Sequence, residues 1–285
     1  MVTIKDYAAT IESQWCPGCG NFGILTAMRR ALVSLALEPY QVLMVSGIGQ
    51  AGKFPHYLRC NVFNELHGRP IPAAFAAKIV NPELTVIAVS GDGDGYGEGG
   101  NHFMSVMTRN PNITYMVHNN QVYGLTKGQA SPTSDSGFIT KTTPTGAGEP
   151  LRPLAIAVAC NCSFIARGFS GDIEHLSHLI RMGVEHKGFA LIEVLQPCVS
   201  FNHQNTDSWY RERIYKLEEE QGYNQEDRIA AFAKALEWGE RIPTGVIYRT
   251  NRPVYEENLS ALKGGPLVKQ ETAPQQFEKL LDELL

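Results

Sequence analysis

The hydrophobic positions of the first 200 residues fall into two alternating patterns. Short runs rich in Val, Ile and Leu are typical of strands buried on both faces. Between these runs, apolar residues recur near the 3.6-residue period of a helix. This alternation predicts an α/β fold of the doubly wound type, with a mainly parallel sheet covered by helices on both faces. The predicted strands are 41–46, 85–89, 113–117, 164–167 and 189–195, and the predicted helices are 24–37, 71–80, 102–109, 154–159 and 173–185.

The pattern weakens in the last third of the chain. Helical stretches occur at 214–221 and 226–238, a polar and turn-rich segment follows, and 274–285 has the pattern of a short amphipathic helix. We therefore predict a binding domain over residues 1–200 and a C-terminal extension, or arm, over 201–285. The extension is expected to pack on the core and on a partner subunit. The alternative is that it is a peripheral part of the same domain.

Composition narrows the possible classes of function. Of 285 residues, 43% are hydrophobic, and 25 Lys and Arg stand against 29 Asp and Glu, a net charge of −4. This balance excludes an overall basic nucleic-acid-binding protein. No apolar run approaches about 18 residues, the length that a membrane span needs, and the N-terminus lacks the pattern of a signal peptide. We expect a soluble, cytoplasmic protein with no nucleic-acid or membrane partner.

A glycine-rich segment, 91–100, follows the predicted strand 85–89. Glycines at the carboxyl end of a parallel strand let backbone N–H groups approach phosphate oxygens, and the next helix N-terminus favours the negative charge. Acidic side chains in such a loop would repel phosphate, so Asp92 and Asp94 favour a bridging divalent cation. Glycine-rich turns are also common without a ligand, and this segment alone leaves both interpretations open.

A second polar position follows the next predicted strand. Asn120 lies 28 residues after Asp92. Because neighbouring parallel strands bring their carboxyl ends together, the two side chains can meet one ion. Mg²⁺ prefers oxygen ligands and is held by one or two carboxylates together with phosphate and water. Asp92, the Asn120 side-chain oxygen and the Val122 carbonyl therefore form a predicted magnesium site beside a diphosphate.

This pair of motifs resembles the cofactor signature of thiamine diphosphate enzymes, Gly-Asp-Gly followed at this spacing by Asn-Asn. Further motifs extend the likeness over about residues 12–250. The whole set resembles the β subunit of 2-oxoacid:ferredoxin oxidoreductases, particularly the 2-oxoglutarate type. In chain order the motifs are Trp15-Cys16-Pro17-Gly18-Cys19-Gly20, Ser46-Gly47-Ile48-Gly49, His67-Gly68-Arg69, Gly91-Asp92-Gly93-Asp94-Gly95, His118-Asn119-Asn120, Tyr123-Gly124-Leu125-Thr126-Lys127-Gly128-Gln129 and Gln196-Pro197-Cys198.

The resemblance implies the chemistry of that family. Thiamine diphosphate, held with Mg²⁺, serves the decarboxylation of a 2-oxoacid, and coenzyme A accepts the acyl group. Electrons pass singly through a [4Fe–4S] cluster to ferredoxin, and some members run in reverse to add CO₂ to an acyl-CoA, as in a reductive TCA cycle. By family position the cofactor-binding residues are Gly49, Gly91, Asp92, Gly93, Asp94, Asn120, Val122, Gly124, Leu125 and Thr126.

The same resemblance assigns catalytic roles to two residues. Lys53 follows a strand end, where the family has a basic residue toward the substrate carboxylate, and an ammonium group is a compact partner for it. Without the neighbouring motifs, Lys53 would be interpreted as a solvated loop lysine. His67 is expected to contact the diphosphate or to assist proton transfer, although an isolated histidine is more often structural.

The six cysteines are too sparse for a disulfide scaffold. Cys16, Cys19 and Cys198 match the family's cluster ligands, and a Cys-x-x-Cys with a distant cysteine is compatible with an iron–sulfur site. On spacing alone, a zinc site and buried thiols stay open.

In the family, the remaining cluster ligand follows Ser-Gly-Ile-Gly directly, and in this chain that position is occupied by Gln50. Cys60, ten residues further along, is the candidate replacement. The rival is a three-cysteine cluster with a fourth ligand that is not a thiolate. Cys160 and Cys162 lie near the end of an apolar segment and are predicted to pack in the core.

Only half of a cofactor site is expected in this chain. Thiamine diphosphate lies between a diphosphate-binding and a pyrimidine-binding domain, and the motifs here belong to the first. The resemblance therefore implies an α subunit that carries the second, in an (αβ)₂ assembly. Three alternatives stay open: an oxidoreductase specific for pyruvate or a branched 2-oxoacid, a non-redox thiamine diphosphate decarboxylase or synthase, and a zinc-stabilised interaction module.

Overall fold

An eight-stranded sheet forms the centre of the chain. The computed structural model describes residues 2–271, 277 and 281–283. The two strands β5 and β6 form a separate hairpin, and the other eight form the central sheet. In chain order the strands are β1 (Val42–Ser46), β2 (Asn61–Asn64), β3 (Thr85–Gly91), β4 (Thr114–Asn119), β5 (Val122–Tyr123), β6 (Gln129–Ala130), β7 (Phe164–Phe169), β8 (Ala190–Leu195), β9 (Ile214–Lys216) and β10 (Ile242–Arg249).

The strands of the central sheet lie in the order β2-β1-β3-β4-β8-β7-β10-β9. All pairs from β2 to β7 are parallel, and β10 pairs with β7 in the antiparallel direction. Parallel neighbours need a crossover connection, and helices supply most of these connections here. The predicted α/β fold with a mainly parallel, doubly wound sheet is confirmed.

Helices cover both faces of this sheet. Helices α1 and α5 pack against one another and share a core with β1, β7 and β8 on one face. Helices α2, α3, α4 and α7 bury their apolar sides on the other face. The strands are buried from both sides, which is why their sequences are continuous apolar runs. The helices are α1 (Asn21–Ser34), α2 (Pro70–Val80), α3 (Gly100–Arg109), α4 (Pro153–Ala159), α5 (Ile173–Glu185), α6 (Asp207–Arg211) and α7 (Arg228–Leu236).

The described helices include no candidate for a membrane span. The longest of them, α1, has 14 residues, whereas a span takes about 20 predominantly apolar residues.

The segment after residue 200 differs most from expectation. The helix predicted over 214–221 is wrong, because these residues form β9 and a 3₁₀ turn at Leu217–Glu219. Strand β10 lies where turns were expected, because Pro243 and Gly245 interrupt its apolar pattern. The central sheet therefore has strands from both sides of residue 200, and the division into a binding domain and an extension stays a prediction. The predicted helix 274–285 falls largely outside the described residues.

Candidate active site

A cavity lies at the carboxyl ends of β1, β3 and β4, the edge at which open parallel sheets bind their ligands. We call it the glycine-loop cavity. All ten residues predicted to bind the cofactor line it, and so does His67, whereas Lys53 does not. The ten are Gly49, Gly91, Asp92, Gly93, Asp94, Asn120, Val122, Gly124, Leu125 and Thr126.

Close packing explains one of these glycines. After β3 the chain forms a π-helical turn over Gly93–Glu98 before α3 begins. A Cβ atom on Gly93 would lie 2.2 Å from a ring carbon of Tyr123. Any larger residue would push the hairpin β5–β6 away from the turn, so glycine is needed to keep the two walls of the cavity together.

Asp92 is a buried carboxylate at the floor of the cavity, 1% exposed. The hydroxyls of Ser131 and Thr133 donate hydrogen bonds to its Oδ2, the latter over 2.6 Å. Burial nevertheless raises the pKa of Asp92 to about 6. A carboxylate with only neutral donors around it keeps an uncompensated charge when ionised, and a cation offsets that charge.

Asn120 stands beside Asp92 in the wall of the same cavity. Its Oδ1 accepts a hydrogen bond from the Val122 N–H at 3.1 Å, and its carbonyl accepts one from Asn202 Nδ2 at 3.2 Å. The intervening Gln121 has a φ of 58°, a left-handed turn that lets Asn120 and Val122 both face the cavity. A carboxylate with amide and carbonyl oxygens is a donor set that fits Mg²⁺.

Asp94 is occupied by donors of its own chain. Its Oδ1 accepts hydrogen bonds from the backbone N–H groups of Ile48 (3.0 Å) and Gly68 (2.8 Å), and its Oδ2 accepts one from Ser90 Oγ (2.6 Å). These three donors come from three different segments. Asp94 therefore fastens the loop after β1, the loop before α2 and the end of β3 to each other, and it offers less to a metal ion than Asp92 does.

The two predicted catalytic residues lie in different surroundings. His67 Nδ1 is 2.9 Å from Asp94 Oδ1 and 3.4 Å from Glu98 Oε2, and its side chain is 38% exposed at the cavity. Lys53 lies on the short 3₁₀ helix Ala51–Tyr57 and is half-buried. The structure brings His67, but not Lys53, to the lining of the cavity.

A second cavity, which we call the cysteine cavity, contains three of the predicted cluster ligands. Cys16, Cys19 and Cys198 all line it. Ser200 Oγ donates a hydrogen bond to Cys16 Sγ at 3.1 Å, and Gln196 Nε2 donates one to Cys19 Sγ at 3.4 Å. Burial raises the pKa of Cys19 to about 11, and the neighbouring Cys198 and Cys16 add to this.

The loop that carries Cys16 and Cys19 is held tightly against the loop that carries Cys198. The Gly20 N–H donates a hydrogen bond to the Pro197 carbonyl at 3.4 Å. A Cβ atom on Gly20 would lie 2.7 Å from Ser170 Oγ and 2.9 Å from Gln196 Cγ. The Cys-x-x-Cys-Gly motif thus includes the one residue that permits this approach.

The structure does not bring Cys60 to the other three cysteines, and the prediction of Cys60 as the fourth ligand is corrected on this ground. Cys60 precedes β2, whose first residue pairs with Leu43 near the amino end of β1. The cavities lie beyond the other end of β1. At about 3.3 Å per residue, β1 alone separates them by about 13 Å. Burial raises the pKa of the Cys60 thiol to about 12.

The remaining two cysteines differ in burial. Cys162 is fully buried in the core beside β7 and α4, as predicted. Cys160, at the end of α4, is half-buried and packs against the same core. Neither lines the glycine-loop cavity or the cysteine cavity.

A buried pair, His118 and Asn21, was not predicted as part of the site. His118 lines the glycine-loop cavity and Asn21 lines the cysteine cavity. His118 Nδ1 is 2.8 Å from Asn21 Oδ1, while His118 Nε2 and Asn21 Nδ2 have no partner among the described residues. Burial lowers the pKa of His118 to about 3, so the ring is neutral at pH 7. The position of His118, directly before Asn119-Asn120 at a strand end, was the available signal.

Ser131 and Thr133 were also missed. They lie 39 and 41 residues after Asp92, beyond the hairpin β5–β6. Their sequence, Ser131-Pro132-Thr133, has the composition of an ordinary turn. Only the return of the chain after the hairpin brings their hydroxyls to the buried carboxylate.

Two family models match the chain. The "Thiamine pyrophosphate enzyme, C-terminal TPP binding domain" matches residues 44–194, and the C-terminal part of the pyruvate ferredoxin oxidoreductase beta subunit matches residues 198–264. The first match covers more than half of the chain and contains the whole glycine-loop cavity. The chain therefore has the TPP-binding domain of this enzyme group.

Individual relatives are similar over most of the chain. The 2-oxoacid:ferredoxin oxidoreductase 1 subunit beta of Aeropyrum pernix is 43% identical, covering 90% of this chain and 84% of the relative. The 2-oxoglutarate oxidoreductase subunit KorB of Mycobacterium tuberculosis is 39% identical, covering 73% and 56%. The solved 2-oxoglutarate:ferredoxin oxidoreductase from Magnetococcus marinus has a TM-score of 0.91 and 32% identity, covering 98% and 96%. With its fold and its cavity-lining motifs, this chain belongs to the β subunits of 2-oxoacid:ferredoxin oxidoreductases.

Proposed function

We propose that the chain is the β subunit of a 2-oxoglutarate:ferredoxin oxidoreductase, with thiamine diphosphate and Mg²⁺ in the glycine-loop cavity and a [4Fe–4S] cluster at the cysteine cavity. In this reaction 2-oxoglutarate is decarboxylated, coenzyme A accepts the succinyl group, and electrons leave through the cluster to ferredoxin. The observation that carries the proposal is a shared wall: Gln50, Asn120 and Gly124 line both cavities. An electron source in one cavity would lie one side chain away from an acceptor in the other.

Similarity to proteins named for their substrates supports 2-oxoglutarate. The Mycobacterium tuberculosis relative is named for it, and the Magnetococcus marinus structure holds 2-oxoglutarate, coenzyme A and succinyl-CoA. The Aeropyrum pernix relative is named for 2-oxoacids in general. An enzyme for pyruvate or a branched 2-oxoacid is therefore the second candidate. Reverse operation, with CO₂ added to an acyl-CoA, belongs to the same proposal.

The proposed magnesium ligands are Asp92, Asn120 and the Val122 carbonyl. The raised pKa of Asp92 supports this role, because a divalent cation offsets the cost of holding the buried carboxylate ionised. When bound, thiamine diphosphate supplies a nucleophilic carbon and an electron sink. The chain binds the diphosphate end, and Asp94 keeps the three surrounding segments in place.

The proposed substrate contacts are Lys53 and His67. None of the ion pairs among the described residues includes Lys53, although its side chain is half-buried. A half-buried ammonium without a counterion is suited to an anionic ligand such as a carboxylate. His67, exposed at the cavity and oriented by Asp94, is suited to hold or move a proton there.

As a β subunit, the chain has an α subunit as its partner. We propose that the cofactor site is completed by this α subunit and that the unit pairs into (αβ)₂. The glycine-loop cavity measures about 80 Å³, whereas sites for whole small molecules measure about 300–1,000 Å³. Ile48 and Leu125, 38% and 41% exposed, leave apolar surface at its edge. The α subunit would bury this surface and the rest of the cofactor.

Membership of a ferredoxin oxidoreductase family supports an iron–sulfur cluster over zinc at the cysteine cavity, because Zn²⁺ has no redox chemistry with which to pass electrons to ferredoxin. Cys16, Cys19 and Cys198 line this cavity, and thiolates are the usual ligands of iron–sulfur clusters. The hydrogen bonds to Cys16 and Cys19 are of the kind that stabilise and tune bound thiolates.

The test is anaerobic purification of the chain together with its α subunit, followed by cofactor analysis and assay. We expect thiamine diphosphate, Mg²⁺ and iron in the complex, with reduction of ferredoxin that depends on both 2-oxoglutarate and coenzyme A. A higher kcat/KM for pyruvate would favour the second candidate. Bound thiamine diphosphate without iron would reject the redox assignment and leave a non-redox thiamine diphosphate enzyme.

A further inference from the structure

Gln50 occupies the wall between the two cavities. It is one of three residues that line both, with Asn120 and Gly124. Its backbone is fixed, since Trp15 Nε1 donates a hydrogen bond to the Gln50 carbonyl at 2.9 Å. Its Cγ lies 3.5 Å from the position of a Cβ on Gly124. The side chain is therefore held between the region proposed for the cofactor and the three thiols.

The amide oxygen of Gln50 has no hydrogen-bond partner in the part of the chain that the structure describes. Its Oε1 is buried, and no donor among the described residues reaches it. An unsatisfied buried acceptor is destabilising, so its presence in a native protein calls for an explanation such as a bound ion. Asn21 Nδ2, an unpartnered donor on a side chain that is 1% exposed, belongs to the cysteine cavity as well. The cavity thus has one acceptor and one donor in need of partners.

Thiolates are limited to three at this cavity. Cys16, Cys19 and Cys198 line it, Cys60 lies at the amino edge of the sheet, and Cys160 and Cys162 pack against the core. A cluster with four irons needs a ligand on each iron, and thiolates are the usual ones. Among the described residues that line both cavities, Gln50 is the one whose side chain has a buried acceptor without a partner.

We propose that the cluster is held by three thiolates, and that its fourth iron faces the glycine-loop cavity with the amide oxygen of Gln50 as a weak, exchangeable ligand. This inference rests on the proposed function, because it presumes the cluster. An uncharged amide oxygen is a harder and weaker ligand for iron than a thiolate. The fourth iron is therefore the labile one, and Asn21 Nδ2 is placed to donate to a cluster or thiolate sulfur.

The lability has a defined chemical outcome. One-electron oxidation of the [4Fe–4S]²⁺ state releases one Fe²⁺ and leaves [3Fe–4S]⁺. The electron goes to the added oxidant, and the three thiolates keep the remaining irons. Reduction with added Fe²⁺ reverses the step. Neither state requires movement of the chain, because no thiolate is bound to the iron that leaves.

The experiment uses the anaerobic complex of the chain with its α subunit, treated with one equivalent of ferricyanide per cluster. Iron content and EPR spectra are measured before and after treatment. We expect the wild type to lose about one iron of four and to gain the spin-half signal of an oxidised three-iron cluster. Gln50→Cys, which adds a fourth thiolate, should keep its iron and suppress the signal at least tenfold. Gln50→Ala should convert at least as readily as the wild type.

Cys60→Ser is the matched control and should keep both the iron content and the conversion of the wild type. Wild-type clusters that resist ferricyanide as well as those of Gln50→Cys would overturn the inference, and so would loss of iron in Cys60→Ser. Both results would leave the oxidoreductase assignment intact. Absence of iron from a complex that contains thiamine diphosphate would instead reject the proposed function itself.

Discussion

Replacing Asp92 with Asn should stabilise the cofactor-free protein while it removes the proposed metal site. Burial raises the pKa of Asp92 from 3.8 to about 6. A carboxyl whose folded-state pKa is raised contributes stability below pH 3.8, and this contribution is lost as the pH rises through 6. Holding Asp92 ionised above pH 6 therefore costs about 3 kcal/mol. The neutral Asn side chain avoids this cost and can still bond to the hydroxyls of Ser131 and Thr133.

The increase in stability caused by Asp92→Asn should depend on pH. For an unfolded-state pKa of 3.8 and a folded-state pKa of about 6, linkage gives a gain of about 3 kcal/mol at pH 8 and about half as much at pH 5. The assay is urea unfolding of the complex with its α subunit, in buffer with a chelator and without thiamine diphosphate. Calorimetric titration of the same variant should show loss of Mg²⁺-dependent thiamine diphosphate binding.

Asp172→Asn is a control for which the change in stability should have the opposite sign. Burial tends to raise the pKa of Asp172, but hydrogen bonds from Lys216 and from the His175 N–H outweigh it and lower the pKa. Asn can still cap α5, but it removes the charge that pairs with Lys216 at 2.9 Å, so the replacement should cost up to about 1 kcal/mol at pH 8. If Asp92→Asn destabilised the complex at pH 8, or if its gain were the same at pH 5 and pH 8, the desolvation argument for the metal site would be refuted.

Two further substitutions test other parts of the site, and a third tests a buried ion pair between β7 and β8. Lys53→Ala should raise the KM for 2-oxoglutarate and pyruvate alike, because both carry the contacted carboxylate. Kinetics equal to those of Lys5→Ala, at an exposed position outside the site, would remove Lys53 from the site. Gly20→Ala should lower the iron content of the purified complex, since its Cβ would lie 2.7 Å from Ser170 Oγ; full iron content would contradict the packing argument. Glu193→Gln should lower the free energy of unfolding in urea by about 3 kcal/mol. The reason is that Arg167, whose Nε lies 2.8 Å from the Glu193 carboxylate, would be left buried without its counterion. A loss below about 1 kcal/mol would contradict this argument.

Local patterning was sufficient to predict most of the sheet and one wall of the site. Continuous apolar runs and helical periodicity depend on neighbouring residues only, so β1, β3, β4, β7, β8 and the helices between them could be inferred. The exposed edge strand β2 and the short hairpin β5–β6 have no such apolar run and were missed. The loops after β1, β3 and β4 then had to meet, because parallel strands bring their carboxyl ends to one edge. Asp92 and Asn120 line one cavity for this reason, whereas Gly49, Gly124, Leu125 and Thr126, which line it too, were assigned from the resemblance to the family.

The other features of the fold and of the site depend on contacts between segments that are distant in sequence. Strand β10 is stabilised by pairing with β7 despite Pro243 and Gly245, which no local pattern could reveal. The distance of Cys60 from the other thiols follows from the register of β2 on β1, since spacing along the chain does not state at which end of a strand a residue lies. The hydroxyls on Asp92 and the position of Gln50 between two cavities depend on chain segments that meet only after folding. Sequence thus predicted the candidate residues for the chemistry, and packing determined which of them meet.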